Sequence, residues 1–223
     1  MPNTSSPIAL PGTVQPAAAG LSGFDINSPV SATAAAGFKN AGYAFCIRYI
    51  PRTAQLQAGN LTNAEALHIL NAGLALMAVQ HVANDGWVPS AALGTQYGSY
   101  AALYATQIVG LPPGVNIWLD LEGVNQQAPA ADVIAYCQAW YTEVKSAGYE
   151  PGIYVGWDAG LTSQQLYTKL SFSHYWRAYN GPDVATRGFQ ILQHTQKLVN
   201  GFMIDPNVTQ TDHLGGTAIW LAI

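Results

Sequence analysis

The chain is expected to be an α/β protein, a (β/α)8 TIM-like barrel, short for its class and with degenerate last helices. Three observations carry this expectation. Short apolar or β-branched runs alternate with longer helical patterns from Gly23 onward, the signature of repeated βα units around a parallel sheet. The segments Asn40-Ala41-Gly42-Tyr43, Asn71-Ala72-Gly73-Leu74 and Ser146-Ala147-Gly148-Tyr149 repeat one helix stop, with Gly just before the next strand. Polar groups gather where the predicted strands end, the place at which barrels of this kind build their sites. A doubly wound open sheet is the alternative architecture.

Eight strands are expected, in order, at Gly23–Asn27, Tyr43–Ile50, Leu74–Val82, Asn116–Gly123, Gly152–Trp157, His174–Asn180, Gly188–Thr195 and Phe202–Val208. The clearest helices are Val30–Asn40, Asn63–Ala72, Ala91–Val109 and Ala131–Ala147, and proper helices are expected to be missing after strands six to eight. Residues 1–20, rich in Pro, Ala, Ser and Thr, read as a flexible tail or linker, one that could join a delivery or wall-binding module, and residues 21–223 as the barrel domain.

A chain of 223 residues, 49% hydrophobic and 9% charged, can bury one sizeable core. With 8 basic and 12 acidic residues it has no basic stripe for phosphates, so nucleic acid is not an expected partner. Cys46 and Cys137, its only cysteines, read as buried thiols rather than a disulfide framework or metal ligands. No apolar run approaches the roughly 20 residues that span a bilayer, and residues 1–20 lack the basic start and apolar centre of a signal peptide. Membrane insertion is not expected. Six Trp and 12 Tyr supply rings for the core and, near strand ends, for stacking on sugar faces.

The most informative segment is Asn116-Ile117-Trp118-Leu119-Asp120-Leu121-Glu122-Gly123. A strand alternates its faces, so Asp120 and Glu122 share one side at roughly 6.5–7 Å between Cα atoms, close enough to act on one substrate group and to perturb each other's ionisation. Other strand ends add Asp25 (first), Arg48 and Tyr49 (second), Gln80 and His81 (third), Tyr154, Trp157 and Asp158 (fifth), Tyr179 and Asn180 (sixth), Gln193 and His194 (seventh), and Asp205 (eighth). With Asp120 and Glu122, that makes five acids at strand ends in a chain poor in charge. The plain structural alternatives are a helix cap at Asp25, a strand stop at Asp205-Pro206 and an ion pair at Arg48. His81 and His194 have no companion at metal-ligand spacing, so no metal or other cofactor is expected. No Gly-x-Ser-x-Gly elbow, phosphate loop or Gly-x-Gly-x-x-Gly follows a strand, which argues against esterase and nucleotide functions.

Gly23-Phe24-Asp25-Ile26-Asn27, the Ala-Gly-Tyr-x-Phe-x-x-Arg-Tyr run from Ala41 to Tyr49, Leu119-Asp120-Leu121-Glu122 and Phe202-Met203-Ile204-Asp205-Pro206 together resemble glycoside-hydrolase-like TIM barrels, formerly a domain of unknown function and distantly related to the family 25 muramidases (lysozymes). The resemblance runs from about Gly23 to Asp205. It implies a hydrolase of peptidoglycan or a related N-acetylated cell-wall polymer, with an acidic cleft at Asp25, Asp120, Glu122 and Asp205. Its members look like cell-wall enzymes, phage lysins and secreted proteins, so action outside the cytoplasm is implied.

Glycoside hydrolysis needs one carboxylic acid to protonate the leaving oxygen and a second group to stabilise or attack the sugar cation. Glu122, outermost on its strand, is the expected acid, raised in pKa by an ionised Asp120 that orients the substrate acetamide. Asp25 and Asp205 would hold hydroxyls or a water. Arg48, Tyr49, Gln80, His81, Tyr154, Trp157, Tyr179 and Gln193 are the expected substrate-binding residues of what is expected to be a monomer. Arg48 departs from the muramidase pattern and favours a second reading, a silent glycan-binding barrel. A third makes the barrel the payload of a lysin or antibacterial toxin.

Overall fold

The computed structural model of the protein describes residues 7–54 and 59–223. In chain order its elements are β1 (Thr13–Pro16), β2 (Ser22–Ile26), α1 (Ala32–Asn40), β3 (Phe45–Ile50), α2 (Asn63–Asn71), β4 (Ala75–Gln80), α3 (Ala91–Tyr104, continued by a π turn at Ala105–Val109), β5 (Asn116–Leu121), α4 (Ala130–Ser146), β6 (Glu150–Val155), α5 (Ser163–Lys169), β7 (His174–Arg177), β8 (Ile191–Gln193), β9 (Lys197–Val199), β10 (Phe202–Thr209) and β11 (Ile219–Ala222). The ring β2-β3-β4-β5-β6-β7-β8-β10 closes on itself, giving the eight-stranded barrel that the sequence predicts. No helix separates the strands after β7, so the last helices are missing as expected.

Local chemistry explains the helix boundaries. Ser31, Thr62 and Ser90 cap α1, α2 and α3 by accepting from the backbone N–H three residues on, and Thr162 with Gln165 forms a reciprocal cap on α5. At the three repeated stops the chain turns left-handed, as at Gly42 (φ 92°) and Gly148 (φ 91°). The next residue's N–H then bonds five residues back, Tyr43 to Phe38 and Tyr149 to Val144, which needs a residue without a Cβ penalty at the turn.

Two expectations are corrected. Seven barrel strands are parallel, but β10 runs antiparallel to both β8 and β2. Only residues 194–201 separate β8 from β10, fewer than the dozen or so that a parallel crossover needs. The chain turns back instead through a β9–β10 hairpin whose tip, Asn200-Gly201, has both residues at positive φ (51° and 83°). The segment preceding Leu21 is not a free tail either. Met1–Ser6 lie outside the described residues, but Thr13–Pro16 form a strand that pairs with β11, which joins β4 at Leu76 and carries Trp220 against Phe45.

Inside the ring, large and small residues alternate across facing positions. Gly23 leaves room for the Phe45 ring and Gly152 for Trp118; a Cβ at either would lie 2.3 Å from the neighbouring ring. Trp118, Trp176 and Tyr154 fill the middle of the lumen at centroid separations of 6.0 and 4.6 Å. The barrel is therefore a packed core.

Candidate active site

Strand alternation sends Phe24 outward onto Phe38 of α1 and Asp25 into the lumen. Asp25 is fully buried. Its Oδ2 accepts from Gln193 Nε2 (3.0 Å) and Asn207 Nδ2 (2.8 Å), and its Oδ1 from the Tyr49 hydroxyl (3.3 Å). Tyr154 donates to Gln193 Oε1 at 2.8 Å, and Trp176 Nε1 to Asn207 Oδ1 at 2.8 Å, so the polar layer is cross-linked around the ring. Burial raises Asp25 to about 7, opposed by the bonds from Gln193, Asn207 and Tyr49 and reinforced by Asp205. With 0% exposure and both oxygens occupied, Asp25 does not reach a sugar hydroxyl or a water in the cleft, contrary to its expected role. It positions Tyr49 and Gln193. Tyr154 and Gln193, expected to bind substrate, are likewise held in this layer.

Above it stand the paired acids of β5. Asp120 is 4% exposed, and its Oδ1 is buried without a hydrogen-bond partner. Glu122, one residue beyond the strand, is half-buried and packs over Gly156, where a Cβ would sit 2.3 Å from Glu122 Oε2. Its backbone carbonyl accepts from Trp87 Nε1 (2.9 Å). Burial raises Glu122, with Asp85 and Asp205 adding to it. Burial also pushes Asp120 well above the usual carboxylate range, with Glu122 and then Asp25 adding and the Val82 backbone N–H opposing. Both members of the pair are therefore raised, as two carboxyls buried side by side must be. The pair retains a proton to higher pH than an isolated carboxylate.

Asp205 faces Asp25 across the β10–β2 pairing, is half-buried and is raised by burial. Because β10 is reversed, Asp205 reaches the mouth from the first half of its strand. His81 stacks on Tyr49 (4.6 Å between centroids) and is lowered to about 4 by burial and then Arg52 and Arg48. Trp157 and Tyr179 are 54% and 56% exposed at the rim. His194 and Asn180 are exposed as well.

Arg48 and Gln80 are not in the cleft, which corrects their assignment to substrate. Each points outward from its strand, because Tyr49 and Val79 take the adjoining inward positions. Arg48 Nε pairs with Glu65 Oε1 of α2 at 2.6 Å, and its other nitrogens donate to the carbonyls of Ile26 and Gly59. Gln80 accepts from Trp140 Nε1 of α4 (2.7 Å) and donates to the carbonyls of Tyr97 and Pro51.

Two cavities flank the acids. One of 420 Å³ runs from Gly123 beside Glu122 to Trp157, with Asp85, Asn125, Gln126 and Asp158 on its walls. The other, of 240 Å³, lies past His81 and Val82 and is lined by Asn27, Pro51, Arg52, Thr53 and Asn84. Trp87, Asp85 and Arg52 thus belong to the mouth, and Asn207 to the buried layer beneath it, without having been read from the sequence, the first three on loops that have no periodic pattern. Asn207, two residues after Asp205 on the same strand face, was within reach of the alternation argument. Among the described residues no group of three or more His, Cys, Asp or Glu could hold a metal ion.

Residues 36–212 match the family model described as Rv2525c-like, glycoside hydrolase-like domain. Lysozyme-like protein 5 of Caenorhabditis elegans is 28% identical over 166 residues, covering 71% of this chain and 73% of the relative. Among solved structures, the Tat-secreted protein Rv2525c of Mycobacterium tuberculosis superposes with a TM-score of 0.66 at 16% identity, covering 86% of this chain and 96% of that one. A bacterial lysozyme from Streptomyces coelicolor gives 0.62 at 16% identity, covering 87% and 94%. At such identities the structural likeness shows the shared fold.

Proposed function

Since the chain belongs to the Rv2525c-like, glycoside hydrolase-like family, we propose that it is a glycan hydrolase of the muramidase type, cleaving peptidoglycan or a related N-acetylated cell-wall polymer outside the cytoplasm. One observation carries the reading: Asp120 presents a buried oxygen without a hydrogen-bond partner directly beneath the half-buried Glu122. A buried acceptor left unmade costs about 1–3 kcal/mol, and an amide N–H from a bound 2-acetamido group would satisfy it. Held there, the acetamide oxygen can attack the anomeric carbon while Glu122 gives its proton to the leaving oxygen, the substrate-assisted variant of glycoside hydrolysis. The carboxyl raised by burial suits Glu122 to that donation. Trp157 and Tyr179 offer flat apolar faces to neighbouring sugars.

The silent-binder alternative drew its support from Arg48, which is paired with Glu65 outside the cleft. The test is mass spectrometry of purified peptidoglycan after incubation with the protein. Soluble fragments are expected from the wild type. Glu122→Gln should lower their rate at least about a hundredfold with the fold retained, and Asp120→Asn should be similarly impaired while still binding the polymer. Binding without fragments at any pH from about 4 to 8 would establish the binding barrel instead.

A further inference from the structure

The 240 Å³ cavity beside the acids differs in character from the rest of the mouth. Its walls carry Asn27, Asn84, Thr53, a histidine and Arg52, and no carboxylate. Arg52 is half-buried, its guanidinium lying 5.8 Å from the Tyr97 ring centroid and donating through Nη1 to the Val82 carbonyl. Its Nε is buried without a hydrogen-bond partner. The ion pairs among the described residues are Arg48–Glu65, Lys145–Glu150 and Arg187–Asp212, and residues 1–6 and 55–58 contain no Asp or Glu. Arg52 therefore keeps a partly desolvated positive charge that none of these ion pairs answers. Proteins pair such charges because desolvation without a partner is costly. His81, held neutral well below pH 7, adds no second charge.

We propose that this cavity is a carboxylate-binding subsite, with Arg52 as its cation, that seats an acidic substituent of the glycan next to the Asp120–Glu122 pair. One planar guanidinium fork with flanking amides matches the charge and shape of a single carboxylate. The position fits: Val82 lines the cavity and offers its backbone N–H to Asp120, while His81 stacks on the Tyr49 that reaches Asp25. The subsite rests on reading the acids as a glycan site, and it narrows the substrate to acidic glycans. A lactyl ether on the sugar or a uronic acid would each supply the carboxylate.

The experiment is a pairwise titration followed by NMR, which needs no turnover. N-acetylmuramic acid is compared with N-acetylglucosamine, and glucuronic acid with glucose. In at least one pair the acid is expected to bind about tenfold tighter or more than its neutral partner, as a charge-assisted hydrogen bond predicts, and the pair that shows it identifies the source of the carboxylate. Arg52→Gln should erase the preference and leave the neutral sugar's affinity unchanged. Because Arg52 also holds the Val82 carbonyl, the exposed Asn84 gives a second variant: Asn84→Asp puts a negative charge on the wall and should bring the preference below about twofold. No acid preference in either pair, absence of saturable binding, or a preference that survives in either folded variant overturns the proposal. Failure of peptidoglycan cleavage would leave this binding result standing, and loss of the preference would leave cleavage standing.

Discussion

A guanidinium with no exposed surface needs a counter-charge of matching geometry, and Glu65 in the first turn of α2 supplies it to Arg48. Glu65 Oε1 also accepts from the Val30 N–H at 2.8 Å, so this one pair ties β3 to α2 and to the loop after β2. Removing one partner leaves the other charge buried and uncompensated. Arg48→Met should therefore cost about 3–5 kcal/mol in urea unfolding, and the double variant with Glu65→Gln should cost less than the sum of the two singles. If the costs add, the pair is not coupled and the burial argument is wrong. The placement was legible in principle. The alternation that puts Asp120 and Glu122 on one face also forbids Arg48 and Tyr49, or Gln80 and His81, from sharing one, and the strand-end rule had gathered such neighbours together. What the sequence could not disclose was the partner, since Glu65 lies 17 residues away on a helix with no local mark of an ion pair.

Helices α3 and α4 meet backbone to backbone. Gly94 and Gly98, one turn apart, face the carbonyls of Tyr136 and Trp140, and a Cβ added at Gly94 would lie 2.2 Å from the Tyr136 oxygen. Alanine is the better helix former by about 1 kcal/mol, yet at this distance the helices must separate. Gly94→Ala should therefore lower stability by about 1–3 kcal/mol, read as a fall in Tm or urea midpoint; a variant as stable as the parent would show that the close approach is not maintained. Most elements were readable because each carried its own local period or stop signal. The exceptions have physical reasons. β1 pairs with β11 across the whole chain and lies in a segment with the composition of a tail, while the β9–β10 hairpin was announced by Asn200-Gly201, a turn signal that the expectation of parallel strands overrode.

At the scale of the whole molecule, folding forces acids together. Closing the barrel brings Asp25, Asp120, Glu122 and Asp205 to one mouth, where burial raises all four. Strand order placed acids at the strand ends and the family resemblance singled out four of them, but neither showed that Asp25 would be sealed beneath the cleft, because depth in the lumen depends on ring packing rather than on the strand's own residues. The seal has a thermodynamic signature. A carboxyl raised from 3.8 to about 7 binds a proton in the folded state that the unfolded chain has released. Its contribution is fully present below about pH 4 and is lost as pH rises toward 7, by up to about 4 kcal/mol at roughly 1.4 per pKa unit. Asp25→Asn keeps the shape and stays neutral, and the Tyr49 hydroxyl can turn to accept from the new amide. Unfolding of the wild type and Asp25→Asn at pH 4, 5.5, 7 and 8 should show the variant gaining on the parent across that range, with the difference levelling off above the folded pKa. Other titrating groups are common to both proteins and cancel in the difference. A constant gap would mean that Asp25 is ionised in the native state throughout, held by Gln193, Asn207 and Tyr49 more strongly than burial opposes it.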